Sequence, residues 1–116
     1  MISVLQCVSI IASSEKSVAF YEKLGFTVIF RKERSYDTVV IMEGYGVQIQ
    51  LFIDPNHPKR EMNPENLGFR SITLKVENVE EIRKLFDCSE VRTDWFGNKY
   101  CSTQDPDGLP IQFCEG

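Results

Sequence analysis

The stretch "VQIQLFI", residues 47–53, decides the fold, because its central phrase returns near the end of the chain as "IQF", residues 111–113. Aliphatic side chains alternate with glutamines in both stretches, which is typical of a strand with two different faces. Each stretch closes a half of the chain in which a strand, a helix and three further strands are predicted in the same order. The sequence therefore predicts one structural unit that occurs twice.

The first half is predicted to begin with a strand and a helix. Residues 2–12 are rich in Val and Ile and predict a strand, after which Ser13 or Ser14 supplies the helix N-cap. Gly25 supplies the end of the helix. The apolar positions of this helix are Val18, Tyr21 and Leu24. Three further strands are predicted in the runs "FTVIFRKER", "DTVVIME" and "VQIQLFI", separated by the turn sequences "SYD" and "GYG".

The second half follows a polar linker. Residues 54–67 contain three prolines and few apolar side chains, and the pattern then starts again with the strand-like run "FRSITLKV". Asn78 is the predicted N-cap of a second helix, with Glu81 three residues further on. The apolar stripe of this helix consists of Val79, Ile82, Leu85 and Phe86. Further strands are predicted at about 89–94, 98–104 and 109–114.

The spacing of equivalent positions supports a true repeat, since Cys7 to Gln50 spans 43 residues and Ser71 to Gln112 spans 41. We therefore predict an α+β fold that forms a single domain over residues 1–116. Its two βαβββ modules span about residues 2–53 and about 68–114. One helix on the outer face of each sheet would leave a cleft between the inner faces.

Composition excludes several classes of protein. The net charge of −4 and the pI of about 5.0 give no electrostatic footprint for a nucleic acid or an anionic membrane. The N-terminus does not resemble a signal peptide, and no apolar run reaches the ~18 residues of a membrane span. The four cysteines lack C-x-x-C spacing, which indicates reduced thiols in a cytoplasmic protein. His57 is the only histidine, so a histidine pair or a histidine-containing triad is excluded.

Four of the predicted strands carry mostly neutral side chains on the face that no helix is expected to cover. These are Cys7, Ser9 and Ile11 in the first strand, Gln48, Gln50 and Phe52 in the fourth, Ser71, Thr73 and Lys75 in the fifth, and Gln112 and Cys114 in the last. A strand face exposed to water usually carries Lys, Glu and Thr, whereas this set contains one charged residue. The pattern favours the lining of a cavity over its alternative, a solvated face.

Several motifs give the chain a family resemblance. The runs "KSVAFYEKLGFTV", "IQLF", "LGFRSITLKVENVEEI" and "DPDGLPIQF" resemble the vicinal oxygen chelate superfamily, which includes glyoxalase I, the bleomycin-resistance proteins and the extradiol dioxygenases. The similarity covers nearly the whole chain and is strongest to short bacterial glyoxalase-I-like proteins. It implies paired βαβββ modules that form a half-open, barrel-like cleft.

The resemblance also indicates where a metal would bind. Metal-dependent members have one ligand, usually His or Glu, on the first and last strand of each module. The equivalent positions here are Cys7, Gln50, Ser71 and Gln112, with Gln6 in place of Cys7 if one counts back from "AFY". A thiol, a hydroxyl and two amides provide neither a carboxylate to balance a divalent ion nor a base for isomerisation. The expectation is therefore a protein without a metal, a cofactor or a catalytic residue.

Two interpretations are open for the aromatic run "TDWFGNKY", residues 93–100. Trp95 and Tyr100 would either pack in a hairpin or form, with Phe52, an aromatic wall for a flat ligand. Asp94, the nearest acid, is expected to form a turn rather than to act in catalysis.

The leading functional hypothesis is a metal-free protein that binds a planar or antibiotic-like small molecule, as the antibiotic-resistance branch of the family does. Its predicted binding residues are Cys7, Gln50, Phe52, Ser71, Trp95, Tyr100 and Gln112. The alternatives are a glyoxalase-type lyase or dioxygenase-related metalloenzyme with an atypical site, and a degenerate scaffold for protein partners. A C2 homodimer is expected, since one module cannot cover both faces of its sheet.

Overall fold

The computed structural model describes residues 1–116. Contacts between Cα atoms divide the chain into two compact units, Met1–Lys59 and Arg60–Gly116. Each unit contains one helix and one four-stranded sheet. This arrangement confirms the predicted α+β fold of tandem βαβββ modules. No helix of the chain has both the length and the apolar character needed to cross a bilayer.

The first unit forms a mixed sheet with a single helix. Its elements in chain order are β1 (Cys7–Ala12), α1 (Lys16–Leu24), β2 (Thr27–Glu33), β3 (Thr38–Gly44) and β4 (Val47–Ile53). The strand order across the sheet is β1-β4-β3-β2, in which β1 runs parallel to β4 and the other neighbours are antiparallel. Because β1 and β4 are parallel, the chain between them must cross over, and this connection consists of α1, β2 and β3.

One face of this sheet is aliphatic and pairs with the apolar stripe of α1. The stripe residues Val18, Tyr21 and Leu24 are all buried, as the three-residue spacing predicts. The buried residues of the corresponding sheet face are Ile10, Ala12, Val40, Met42, Ile49, Leu51 and Ile53. Gly25 ends α1 with φ = 113°, a left-handed conformation that glycine adopts without steric cost. These contacts leave the opposite face of the sheet without a helix from its own unit.

The N-terminal ends of the first strand and of α1 differ from the sequence-based expectation. Regular pairing begins at Cys7 rather than residue 2, because the parallel neighbour β4 begins only at Val47, after the Tyr45–Gly46 turn, and offers no partner to earlier residues. The helix N-cap is Glu15 and makes no side-chain capping bond. Ser14 still contributes, since its Oγ accepts a hydrogen bond from the Lys16 amide at 3.3 Å.

The second unit repeats the same order with shorter elements. They are β5 (Ile72–Lys75), α2 (Val79–Leu85), β6 (Arg92–Thr93), β7 (Lys99–Gln104) and β8 (Pro110–Cys114), with strand order β5-β8-β7-β6. The predicted cap of α2 is confirmed, because Asn78 Oδ1 accepts hydrogen bonds from the amides of Glu80 and Glu81 at 2.9 and 3.4 Å. Val79 and Phe86 are buried as predicted. Leu85 is 60% exposed, so its place in the apolar stripe was wrong.

Two strands of the second unit are shorter than the apolar pattern predicts. Ser71 precedes β5, because the residue it would face at the start of β8 is Pro110, which has no amide hydrogen to donate. The predicted strand at 89–94 reduces to Arg92–Thr93. Here the Ser102 amide donates to the Ser89 hydroxyl at 3.0 Å instead of to a backbone carbonyl, which interrupts the ladder.

Candidate functional site

The helix-free face of the first sheet brings its polar side chains together in rows. Residues that pair across strands point to the same face, so Cys7 lies beside Gln48 and Ser9 lies beside Gln50. Both glutamines are half-buried, and Gln50 Nε2 donates a hydrogen bond to Gln48 Oε1 at 3.1 Å. Ile41 on β3 is the partner of Gln50 on its other side. The centre of this face is therefore a pair of neutral amides.

The same face carries aromatic and charged groups at one end. Phe52 is two residues beyond Gln50 on β4 and points to the same side. The Arg34 guanidinium lies 5.6 Å from the centre of the Phe52 ring and 4.6 Å from that of Tyr36. Asp37 accepts two hydrogen bonds from Arg34, from Nε at 2.6 Å and from Nη2 at 2.7 Å. This pairing lowers the pKa of the Asp37 carboxyl and raises the pKa of Arg34, so both remain charged.

Histidine and cysteine take no part in a recognisable catalytic arrangement. The half-buried His57 ring has its Nδ1 3.0 Å from the Ala12 carbonyl oxygen, which fixes the ring at the end of β1. Cys7 is the first residue of β1 and is half-buried, whereas Gln6 lies outside the strand. None of the four cysteines forms a disulfide.

The helix-free face of the second sheet has a similar polar row. Thr73, Gln112 and Ser102 pair in register across β5, β8 and β7. Thr73 Oγ1 donates to Gln112 Oε1 at 3.4 Å. Tyr100 is half-buried and pairs with Cys114 on the same face. This face therefore also has an amide at its centre.

The aromatic turn of the second unit is built around Asp94. The Asp94 carboxylate accepts hydrogen bonds from the amides of Phe96 and Asn98 at 2.9 and 2.8 Å. The amide of Asn98, followed by that of Phe96, lowers the pKa of this acid. Asp94 is thus a turn-forming residue, in agreement with the sequence-based expectation. Trp95 lies at the tip of the turn and is 98% exposed within the chain.

The donor set does not fit the divalent ion that the fold family implies. No group of three His, Cys, Asp or Glu side chains is gathered in a way that could hold a metal ion. Within the first unit the family-equivalent positions are Cys7 and Gln50, and the Gln50 amide nitrogen is already bonded to Gln48. In the second unit they are Ser71, which lies outside β5, and Gln112. Neutral oxygens and a single thiol leave the charge of a divalent ion uncompensated.

Sequence reasoning did not identify the charged end of the first sheet. Arg34 ends the predicted strand run "FTVIFRKER", whereas Tyr36 and Asp37 belong to "SYD", for which the sequence predicts only a turn. The Arg34 and Asp37 pair at a separation of three residues was the available signal, since opposite charges that flank a hairpin turn can meet. The proximity of Arg34 to Phe52 depends on the pairing of β3 with β4, which cannot be predicted from the local sequence pattern.

The comparison with known proteins gives the chain a family. The sequence model of the Glyoxalase/Bleomycin resistance protein/Dioxygenase superfamily matches residues 3–113. The chain belongs to this superfamily. The resemblance seen in the sequence motifs is thereby confirmed, and the superfamily assignment agrees with the two βαβββ units described above.

Individual relatives within the superfamily vary widely in similarity. The chain is 37% identical to the uncharacterized protein YwkD of Bacillus subtilis, over 93% of each sequence. It is 31% identical to a glyoxalase family protein from Enterococcus faecalis, with a TM-score of 0.88 and 97% of each chain covered. A bleomycin-binding protein in complex with bleomycin is 16% identical with a TM-score of 0.62, covering 97% of this chain and 99% of that one, and shows the fold alone.

Proposed function

We propose that this superfamily member binds a small organic molecule on its helix-free sheet faces, without a metal ion. The observation that supports this proposal is the half-buried Gln48–Gln50 amide pair, which no helix or strand of its own unit covers. Buried or half-buried amides require hydrogen-bonding partners, and a ligand with donor and acceptor groups would supply them.

The two amides offer complementary groups to such a ligand. Because Gln50 Nε2 donates to Gln48 Oε1, the pair presents the Gln50 carbonyl as an acceptor and the Gln48 amino group as a donor. Cys7 and Phe52 would line the same face of the first sheet. In the second unit Ser71, Trp95, Tyr100 and Gln112 are the proposed contacts. Neutral groups of this kind orient a polyfunctional molecule without ionising it, which suits binding better than proton abstraction.

One structural relative supports a binding function, and the unpaired thiols support a cytoplasmic location. The fold is shared with a protein whose structure contains bleomycin, so modules of this topology can accommodate a large organic ligand in that protein. We assign the present chain to the antibiotic-resistance-like branch because its family-equivalent ligand positions lack a carboxylate. The cytoplasm is the proposed compartment, since its reducing environment keeps the four unpaired thiols reduced.

The proposal is tested by a ligand screen with a matched set of glutamine variants. Planar metabolites and bleomycin-type antibiotics would be titrated while thermal stability and the fluorescence of Trp95 are recorded. Gln50→Leu and Gln112→Leu should each weaken binding of a hit by about tenfold, the equivalent of one hydrogen bond. Asn56→Leu is the control, because this exposed amide lies in the turn after β4, away from the proposed contacts, and should leave affinity unchanged.

Two outcomes would contradict this function. Stoichiometric binding of a divalent ion, together with turnover of the methylglyoxal–glutathione adduct, would favour the metal-dependent lyase. Absence of any ligand-induced stabilisation, with both leucine variants more stable than the parent, would favour a degenerate scaffold for protein partners. In that case the polar faces would be remnants without a ligand.

A further inference from the structure

The charged end of the first sheet contains an arginine, Arg34, that contacts one carboxylate and two aromatic rings. We call Arg34, Tyr36, Asp37 and Phe52 the Arg34 cluster. All four residues belong to the first unit, at the β2–β3 hairpin and on β4. The Arg34 side chain is 31% exposed, and that of Asp37 is 9% exposed. The Arg34–Asp37 ion pair is therefore partly buried, whereas Tyr36 is 64% exposed.

The guanidinium of Arg34 has two edges that can each bind a pair of oxygen atoms. The edge formed by Nε and Nη2 is occupied by the two carboxylate oxygens of Asp37. The rings of Tyr36 and Phe52 both lie within cation–π distance of the guanidinium carbon. The remaining edge consists of Nη1 and the second hydrogen of Nη2, and no side chain or backbone atom of the first unit accepts a hydrogen bond from Nη1.

The local charge also favours an anion at this edge. Lys32 pairs with Val39, and Val39 pairs with Phe52, so the lysine belongs to the same face of the sheet as the cluster. One carboxylate and two cations give this end a net charge of one positive unit. Asp37 occupies the adjacent edge of the guanidinium, formed by Nε and Nη2, and fixes its plane, which prepares the second edge for bidentate contact.

The position of the cluster relates it to the amide pair. Phe52 follows Gln50 by two residues on the same strand and face, a distance of roughly 7 Å along the sheet. That separation is close to the length of a benzoic acid with a polar group in the para position. A planar molecule lying along β4 would therefore extend from the amide pair to Phe52, whose ring centre lies 5.6 Å from the Arg34 guanidinium.

We propose that the ligand of the first sheet carries an oxyanion, a carboxylate or a group of equivalent geometry, which binds the Nη1–Nη2 edge of Arg34. The inference rests on the proposed small-molecule function and specifies the chemical class of its ligand. The rings of Tyr36 and Phe52 contribute cation–π attraction to the guanidinium, Asp37 fixes its orientation, and Lys32 adds long-range attraction. The amides of Gln48 and Gln50 contact the polar group at the other end of the molecule.

The experiment compares 4-hydroxybenzoate with its neutral analogue 4-hydroxybenzamide as probes. Each is titrated into the ¹⁵N-labelled full chain while the Arg34 Nε, Phe52 backbone and Gln50 side-chain resonances are followed by nuclear magnetic resonance. The acid is expected to produce saturable shifts at all three positions, with an affinity at least tenfold higher than that of the amide.

A double substitution tests the role of the guanidinium without leaving an unpaired carboxylate. Arg34→Gln combined with Asp37→Asn keeps hydrogen-bonding groups on both sides and should remove the preference for the acid. The matched control is Arg31→Gln combined with Glu15→Gln, which removes a 2.6 Å ion pair from the other face of β2. This control should retain the preference for the acid.

The outcomes separate this inference from the function on which it rests. If the acid and the amide bind equally well, or if the Arg34 double variant keeps its preference for the acid, the inference is overturned while small-molecule binding stands. If neither probe shifts the three resonances, the inference is also overturned, and the broader ligand screen decides the function independently.

Discussion

The thiol of Cys88 shows how a single side chain can be made inert by its surroundings. Cys88 lies in the loop between α2 and β6, next to Ser89, whose amide donates to the Ser102 carbonyl of β7 at 2.7 Å. Burial, followed by the charge and hydrogen bond of the Cys101 thiol, raises the pKa of Cys88 to about 12. Cys101 itself is fully buried. These two thiols are therefore packing groups rather than nucleophiles.

The raised pKa of Cys88 predicts its alkylation rate. At pH 8.5 its thiolate population should be about a thousandfold lower than that of an ordinary thiol, since each unit of pKa changes the population tenfold. Iodoacetamide labelling followed by peptide mass spectrometry measures this rate. The same cysteine in urea-denatured chain is the control and should react at the ordinary rate. Equal labelling of Cys88 in the native and denatured protein would contradict the prediction.

The raised pKa of Cys88 also predicts how the stability of the folded chain changes at alkaline pH. The protonated thiol is favoured in the folded state, so the stabilisation is fully present below pH ~9, the range of the unfolded thiol. It is lost as pH rises from about 9 towards the folded pKa of about 12. Cys88→Ala should therefore reduce the steepness of alkaline unfolding over this interval.

At the residue scale, the sequence predicted which sheet face a side chain occupies better than which neighbour that side chain contacts. Gln50 and Gln112 could be assigned to the helix-free faces because strand periodicity depends only on local alternation. The partners of Gln50 and Arg34 could not be assigned. Whether Gln50 meets Gln48, and whether Arg34 meets Phe52, depends on side-chain conformation and on the register between β2, β3 and β4.

At the scale of elements, the two helices begin in different ways. Asn78 caps α2 through its side chain, and the Val79 amide at the same end donates to the Glu115 carboxylate at 3.0 Å. The start of α1 has no equivalent side-chain cap at Glu15. The sequence signal was clear for α2, where one good capping residue precedes the apolar stripe, and ambiguous for α1, where two adjacent serines compete.

Asn78→Ala tests the contribution of the cap. Loss of its two hydrogen bonds should destabilise the chain by about 1 kcal/mol and lower Tm by roughly 3–6 °C. Asn78→Asp is the control, since its carboxylate accepts the same bonds and should preserve Tm. Thermal unfolding followed by circular dichroism measures both variants. An alanine variant that melts with the parent would show that Glu115 alone holds the helix terminus.

The strands differ in how far their lengths could be predicted. The prediction for β4 matches the structure from Val47 to Ile53, because the strand lies inside the sheet and pairs along its whole length. Edge strands were predicted too long. The apolar residues before Cys7 satisfy the strand pattern, yet the length of an edge strand is limited by its neighbour, and β4 begins only at Val47.

At the scale of the whole molecule, the internal repeat predicted the topology. Two stretches of similar sequence gave two units with the equivalent strand orders β1-β4-β3-β2 and β5-β8-β7-β6. Each unit has one helix for a sheet with two faces, which follows directly from the order of elements. The superfamily to which the chain belongs is built on the same topology, so the repeat carries information about the family as well as the fold.

The last prediction concerns assembly. Several large apolar side chains are exposed in the single chain; they include Ile11, Ile29, Phe30, Trp95 and Phe96. Exposed apolar surface of this kind marks interaction sites, and a C2 dimer is the commonest way to bury it. We expect light scattering at micromolar concentration to give twice the chain mass of 13.4 kDa. Because only the folded state would dimerise, Tm should also rise with protein concentration. A 13.4 kDa species whose Tm is independent of concentration would contradict the dimer and leave these apolar side chains available to other partners.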